Sequence, residues 1–410
     1  MLLHAVLQRT IVEGRLSVVF GDGTVRNYGD GSGPPVAVSL TRAGELRIAL
    51  DPALGLGEAY MDEDIVIDRG DLWDLLNLIG RNFRHDPQKH SLWRRLITAI
   101  DRRRHQMNDR TAARRNVSRH YDLSFDLYRR FLDGDLQYSC AYFARPDMSL
   151  DEAQAAKKAH IAAKLNLEPG QSVLDIGCGW GGMGLTLAGD YGARVTGITL
   201  SQEQLSVAAR RAEERGLEGR ARFELSDYRD IRGAFDRIVS IGMFEHVGAP
   251  NYVGFFTRVS ELLSDDGVAV IHSVGRKGPP GKTDAFIAKH IFPGGYVPAL
   301  SEVMLAVEQA GLWVTDIEIL RLHYAQTLRC WRERFMAQRD AVALMYDARF
   351  CRMWEYYLAV SELSFRHGDH MVFQLQVAKR VDAAPLLRDY MVDRERQGPS
   401  RRWRRRRTSA

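Results

Sequence analysis

The chain has 410 residues, 45% apolar and 27% charged, which excludes a collagenous, mainly disordered or disulfide-scaffold protein and allows two or three domains. No apolar run approaches the ~20 residues of a membrane helix, and the start MLLHAVLQRTIVEGRL lacks a charged stretch followed by a long apolar one, so export is not expected. The formal charge of +5 is local: the tail RRWRRRRTSA carries six arginines on a body that is otherwise near neutral, which points to one or two contacts with an anionic surface.

Residues 1–90 read as a small α+β unit. RLSVVF, VAVSL and LRIAL are short β-like runs separated by glycine-rich turns. GLGEAYMDEDIVI follows, and Asp71 is placed to cap a helix beginning at DLWDLLNLIG. Tyr60, Asp62 and Glu63 are read as a solvated acidic turn rather than a site. Residues 91–119 are read as a basic helical connector: between Arg94 and Arg119 lie nine arginines against Asp101 and Asp109. A solvated linker and a contact with anionic headgroups both fit it.

From about residue 120 the pattern changes. SVLDI, then glycines, MGLTLAGDYG and ARVTGITL read as strand, loop, helix, strand. Further strands are expected at RFELS, FDRIVSIG and VAVIHSV, with helices at SQEQLSVAARRAEERG and YVGFFTRVSELLSDDG between them. This alternation implies an α/β, parallel, doubly wound Rossmann-like domain over 120–395, followed by a flexible Arg-rich tail, 396–410. There is no long internal repeat, and the tail is the one low-complexity segment. Cys140, Cys178, Cys330 and Cys351 form no CxxC pair, so neither a metal site nor a disulfide framework is indicated and a reducing cytoplasm fits.

Gly177, Gly179 and Gly182 satisfy GxGxxG, a weak signal alone, since several cofactors need backbone to approach them where a sheet meets a helix N-terminus. Two features favour S-adenosylmethionine over a dinucleotide. Asp175 lies inside the strand just before the loop, where a carboxylate can meet an ammonium group. The acidic residue expected about 20 residues on for an NAD ribose is absent: that strand ends in Thr199-Leu200-Ser201, with Gln204 one turn into the next helix and able to bond ribose hydroxyls. Asp227 and Tyr228 follow the third strand, where an acceptor and a stacking ring suit an adenine. Ordinary packing remains the alternative reading of Tyr228 and of the loop itself.

Nine segments carry a resemblance: HYDLSFDLYRRFLDGDLQYSCAYF, DEAQ, VLDIGCGWGG, GITLSQEQ, DYRD, FDRIVSIGMFEHVG, KHIFPGG, HYAQTL and FCRMWEYYL. In this order, over about 116–380, they resemble the cyclopropane-fatty-acyl-phospholipid synthases, and the mycolic-acid methyltransferases share much of the pattern. The N-terminal region resembles the extra domain of the bacterial phospholipid enzymes. The resemblance implies methyl transfer from S-adenosylmethionine to the double bond of unsaturated phospholipid acyl chains, through a carbocation, to give cyclopropane fatty acids. It places cofactor contacts at Tyr138, Ser139, Gly177, Gly179, Thr199, Gln204, Tyr228 and Ile241, and the set extends to Tyr121 and Leu200. It also implies a bicarbonate ion held by Cys140, Glu245, His272, Val274 and Tyr324. Of these, Cys140 and Val274 act through backbone, and Cys140, Glu245, His272 and Tyr324 form the catalytic set. Without the resemblance, Glu245 and His272 read as buried structural groups. His246 is left structural. A homodimer is implied by resemblance only, and no specific nucleic acid is expected.

The chemistry suits these residue types. An alkene is a poor nucleophile, so the methyl donor must be held in line with it in a dry pocket. Aromatic faces stabilise a cation. Tyr346, Phe350, Trp354, Tyr356, Tyr357, Phe365 and Phe373 offer such rings, either as core or as channel lining. A base must then take a proton to close the ring. One departure stands out: Ser361, followed by Glu362, replaces the cysteine usual in the synthases, which rules out a thiolate there and leaves a methyl- or methylene-branched product open. A lipid substrate places the protein on the inner face of the cell membrane, with the Arg tail and Trp403 as its contact. Each basic residue near an anionic surface contributes about 1 kcal/mol before salt and tail entropy reduce it. Deletion of residues 398–410 is therefore expected to weaken binding to anionic vesicles, most at low salt, in a sedimentation assay. Unchanged binding would remove the tail from membrane docking.

Overall fold

A computed structural model describes residues 2–82 and 124–398. The connector 91–119, Tyr121, and the tail from residue 399 with Trp403 lie outside the described residues. The described chain falls into two compact units. One comprises 2–82, 282–293 and 325–370; the other comprises 124–281, 294–324 and 371–398. Two segments of the C-terminal half thus group with the N-terminal region.

The first unit has a four-stranded sheet made of β1 (Arg15–Val19), β2 (Val25–Tyr28), β3 (Pro35–Leu40) and β4 (Ile65–Arg69), in the order β2-β1-β3-β4. β1 pairs parallel with β3, and the other two pairings are antiparallel. Alternate residues Val36, Val38 and Leu40 are buried on one face, as a half-buried strand requires. LRIAL is not a strand. It lies in the helix Arg42–Leu50, where the Thr41 hydroxyl caps the Gly44 amide at 3.0 Å and Gly44 and Ile48, four apart, face inward. A side-chain cap and a helical burial period outweigh the β-like reading of Leu, Ile and Leu. A second helix, Pro52–Met61, follows. Asp71 does cap the helix Leu72–Asn82, accepting from the Asp74 amide at 2.8 Å, while Asp74 accepts from Asp71 N at 3.2 Å.

The acidic turn at 60–63 is not merely solvated. Asp62 bonds Arg47 and Arg349, each at 2.7 Å, Glu63 pairs with Arg352 at 2.8 Å, and the Tyr60 hydroxyl donates to Glu355 at 2.8 Å. Three of these partners come from the helix Ala348–Arg366, so a turn that looks acidic in sequence is neutralised by chain nearly 300 residues away. Gly57 permits the same packing: a Cβ there would sit 2.3 Å from the Phe286 ring and 2.8 Å from Tyr356.

The second unit is built on seven strands. In chain order these are β5 (Ser172–Ile176), β6 (Arg194–Thr199), β7 (Ala221–Leu225), β8 (Phe235–Ile241), β9 (Leu263–Arg276), β10 (Trp313–Ile319) and β11 (His370–Ala378). Their order is β10-β11-β9-β8-β5-β6-β7. The pairings β5–β6, β6–β7, β5–β8 and β8–β9 are parallel, whereas β10–β11 is antiparallel. The sheet is thus mixed rather than purely parallel. Val173, Leu174, Ile176, Ile238, Val239 and Ala269–Ile271 are buried, as expected for central strands covered by helices on both faces. Strand order reverses between β5 and β8. That switch point opens a crevice beyond the carboxyl ends of the strands, where ligands bind in sheets of this type.

Candidate active site

The crevice is a cleft with ≈ 1250 Å³ of empty space, its open mouth included, ample for a nucleoside-sized molecule. Four strand ends furnish it: Asp175 and Ile176 from β5, Ile198 to Leu200 from β6, Ser226 to Arg229 after β7, and Ile241 to Met243 from β8. The glycine loop supplies its floor. Gly179 has φ +54°, and a Cβ there would meet nothing within 4 Å, so bare backbone faces the opening. Tyr138, Ser139, Asp175, Gly177, Gly179, Thr199, Leu200, Gln204, Asp227, Tyr228 and Ile241 all line this one cleft.

Each wall has its own support. The Thr199 hydroxyl donates to Gln204 Oε1 at 2.8 Å, which orients the amide. Tyr228 packs edge-on against Phe255 with centroids 5.3 Å apart. Both Asp227 oxygens are engaged by the Arg229 guanidinium, at 2.8 and 2.5 Å, so an amine would have to use a remaining lone pair. Arg211 ties two loops together, donating to Trp180 O at 2.6 Å and to Asp135, which also holds Lys158 at 2.5 Å. Lys157 is fully buried and fastens the loop that carries Tyr138. Its ammonium bonds Gln137 Oε1 at 2.6 Å and Ser139 Oγ at 2.8 Å.

Lys157 is a support that sequence reasoning missed, because nothing local in its helix shows which lysines turn inward. Its helix, Leu150–Lys164, starts with a capping box between Ser149 and Glu152. Arg229 and His246 also line the cleft unannounced. His246, left structural by the sequence reading, is held at a pKa of about 4 by burial and presents a neutral ring. Its place beside Glu245 was the available signal.

Asp175 is 2% exposed. Burial raises its pKa to about 7 against the lowering effect of the Gly184 amide and Lys157, and its Oδ2 has no hydrogen-bond partner. Glu245 is similar. Burial raises it to about 7, its Oε1 accepts from the Val274 amide at 2.6 Å, and its Oε2 is shielded and unpartnered. Both carboxyls bind a proton more readily folded than unfolded. Their contribution to stability is thus present at low pH and is lost as pH rises from about 4 to about 7.

The remaining candidates stand outside the cleft lining. His272 is on β9, 2% exposed, its pKa held well below the usual value by burial and by Lys157, Lys164 and His160. Val274 gives its N–H to Glu245, and its carbonyl accepts from the Ser273 hydroxyl at 2.9 Å. Cys140 is buried, its thiol 3.3 Å from Ala141 O. Tyr324 is half-buried in the first turn of the helix His323–Ala337. The structure therefore brings Glu245 and Val274 into contact and sets His272 two residues away. All four cysteines are free, and no cluster of metal-ligating residues occurs among the described residues.

A family model described as mycolic acid cyclopropane synthetase matches residues 108–375. The chain belongs to this family. It is a S-adenosylmethionine-dependent C-methyltransferase with the fold of that class. Residues 2–88 match a separate domain family of unknown function (DUF7884). This synthetase-family chain is 35% identical over 384 residues to tuberculostearic acid methyltransferase UfaA1 of Mycobacterium tuberculosis, covering 90% of this chain and 89% of that one. It is 37% identical to the cyclopropane-fatty-acyl-phospholipid synthase of Escherichia coli K12, covering 82% and 86%. The crystal structure of mycolic acid cyclopropane synthase CmaA1 with SAH and CTAB superposes with a TM-score of 0.61 at 35% identity, covering 64% of this chain and 97% of that one. The cleft fits such a cofactor: it pairs exposed loop backbone with an unpartnered, buried Asp175 oxygen suited to a cation.

A ligand ammonium selects the ionised form of Asp175, so its affinity should rise with pH. Titration calorimetry with S-adenosylhomocysteine is expected to show about tenfold tighter binding at pH 7.5 than at pH 6. Asp175→Asn is expected to bind more weakly with no such slope. A flat wild-type profile would mean that Asp175 does not hold the amine.

Proposed function

We propose that the protein transfers a methyl carbon from S-adenosylmethionine to the double bond of unsaturated acyl chains in membrane phospholipids and closes it to a cyclopropane. The observation that carries this reading is Glu245: a carboxyl with one oxygen on the Val274 amide and the other unpartnered and out of water. It stands next in sequence to His246 of the cofactor cleft. Transfer of a methyl group to a heteroatom needs no separate proton acceptor for carbon, whereas ring closure does. The names of the Escherichia coli relative and of the matching family support the same product.

When bound, S-adenosylmethionine supplies an electrophilic methyl group on a sulfonium. The chain's residues then have three tasks. The glycine loop, Tyr138, Gln204 and Tyr228 orient the donor, and Asp175 balances its ammonium. Buried walls exclude water, which would otherwise capture the cation left on the acyl chain when the alkene electrons form the new C–C bond. Loss of a proton from the added methyl lets its C–H electrons close the ring. A bicarbonate ion would supply the base for that step, with Glu245, His272 and Tyr324 as side-chain partners and Cys140 and Val274 through backbone. The raised pKa of Glu245 suits this role, since its protonated Oε2 donates to an anion instead of repelling it.

A branched product is the second reading, and two observations favour it: Ser361 where the synthases usually carry cysteine, and a relative named as a methyltransferase that aligns over 90% of this chain. Both products add one CH2 net, so mass does not separate them. Proton NMR of lipid recovered from vesicles of a monounsaturated phosphatidylglycerol is expected to show upfield ring protons and loss of vinyl signals; retained vinyl or new methylene signals would defeat the ring-forming reading. Glu245→Gln keeps the Val274 bond but removes the ionisable group. Its turnover is expected to fall at least about tenfold with cofactor affinity within about twofold. Equal losses in both would make Glu245 a structural residue.

A further inference from the structure

His272 is the innermost member of a chain of polar side chains that runs out through the second unit. Its Nδ1 lies 3.1 Å from Gln374 Nε2 on the neighbouring strand β11. Gln374 Oε1 accepts from the Lys164 ammonium at 2.8 Å. Lys164 also bonds Glu318 Oε2, which accepts from His160 Nε2 at 2.7 Å, and His160 Nδ1 meets Glu395 Oε2 at 2.9 Å. Tyr142 stacks on His160 with centroids 4.2 Å apart. Gln374, Lys164 and His272 are 0%, 1% and 2% exposed, whereas the Glu318 and Glu395 side chains are 28% and 26% exposed.

The direction of each bond follows from what the groups can do. An ammonium only donates, so the Gln374 atom facing Lys164 must be its oxygen. Its NH₂ is thereby turned to His272, whose Nδ1 must accept. A neutral imidazole that accepts at Nδ1 carries its proton on Nε2. Lys164 is fixed in turn by Glu318, whose carboxyl is held down to about 2 by His160 and Lys164 in spite of its burial. The last residue of the helix Leu150–Lys164 and the middle of β11 thus set which nitrogen of a β9 histidine bears hydrogen. Because the link to His272 is an amide, which neither takes up nor releases a proton readily, the chain acts as an anchor and not as a proton conductor.

We infer that Gln374 and Lys164 are positioning residues that lock His272 as the neutral Nε2–H tautomer, so that it presents a hydrogen-bond donor to the proton acceptor of the reaction. This rests on the proposed role of His272. The test uses the full chain with histidine-selective 15N labelling. Two-bond ring correlations of the wild type are expected to show His272 protonated at Nε2 only; an Nδ1–H or imidazolium pattern would overturn the lock. Gln374→Glu keeps the partner of Lys164 but replaces the donor facing His272 with an acceptor. It is expected to move the proton to Nδ1 and lower kcat at least about tenfold, with KM for S-adenosylmethionine within about twofold. A moved proton with unchanged kcat would overturn the positioning role. His272→Ala separates the two levels. If it is inactive while Gln374→Glu is fully active, only the positioning role falls; if it is fully active, the assignment of His272 to the site falls, and the inference with it.

Discussion

Two carboxyls kept out of water govern this protein. Asp175 and Glu245 sit near the carboxyl ends of β5 and β8, each with one oxygen that the fold leaves unpartnered. A pKa held near 7 makes the ionised form of each roughly 3–4 kcal/mol less favourable than in water. That cost is offset by the rest of the fold, since stability is the net of many opposing terms. A cation beside Asp175 would favour its ionised form, whereas an acceptor beside Glu245 would take a hydrogen bond from its protonated form. The same desolvation thus acts on both carboxyls, raising each toward neutrality.

The rest of the second unit holds these sites still. Most of its supports are charged or amide side chains buried with full partners. Lys157 fastens the Tyr138 loop, Arg211 and Lys158 converge on Asp135, and Lys164 orients Gln374. Breaking such a set leaves a charge stranded in the interior, at a cost of about 3–5 kcal/mol, so these contacts specify geometry more than they add stability. The family assignment and the cleft agree on a methyl donor; the amide that faces His272 adds a further level, in which one hydrogen-bond direction is handed inward from a surface ion pair.

The first unit follows a different logic. Phe350 and Trp354 of its helix Ala348–Arg366 stack in series with Tyr346, which lies just before that helix, with ring centroids 4.2 and 5.8 Å apart. Glu362 is wholly buried and bonded by Arg366 at 2.7 Å. Of the aromatic residues singled out in the sequence, Trp354, Tyr356, Tyr357 and Phe365 are buried here, and Phe373 is buried on β11 in the other unit. Ser361 is half-buried on the same helix.

The doubly wound pattern, the glycine loop and the residues that line the cleft were legible in the chain because each depends on a local rule. Alternating apolar runs make central strands, glycines admit positive φ, and residues just past strand ends meet at a switch point whatever the loops do. LRIAL misled because five residues do not carry enough period to separate strand from helix, and the cap at Thr41 lies outside them. The antiparallel β10–β11 pair was hidden because strand direction depends on how a distant segment returns. Tertiary structure alone decided the partners of the buried polar groups: that Lys157 and Lys164 turn inward, that the 60–63 turn is neutralised by residues 349–355, and that Gln374 faces His272. Sequence reveals which side chains can ionise or donate. Which of them lose water, and to what partner, is set only when strands and helices far apart in the chain close over them.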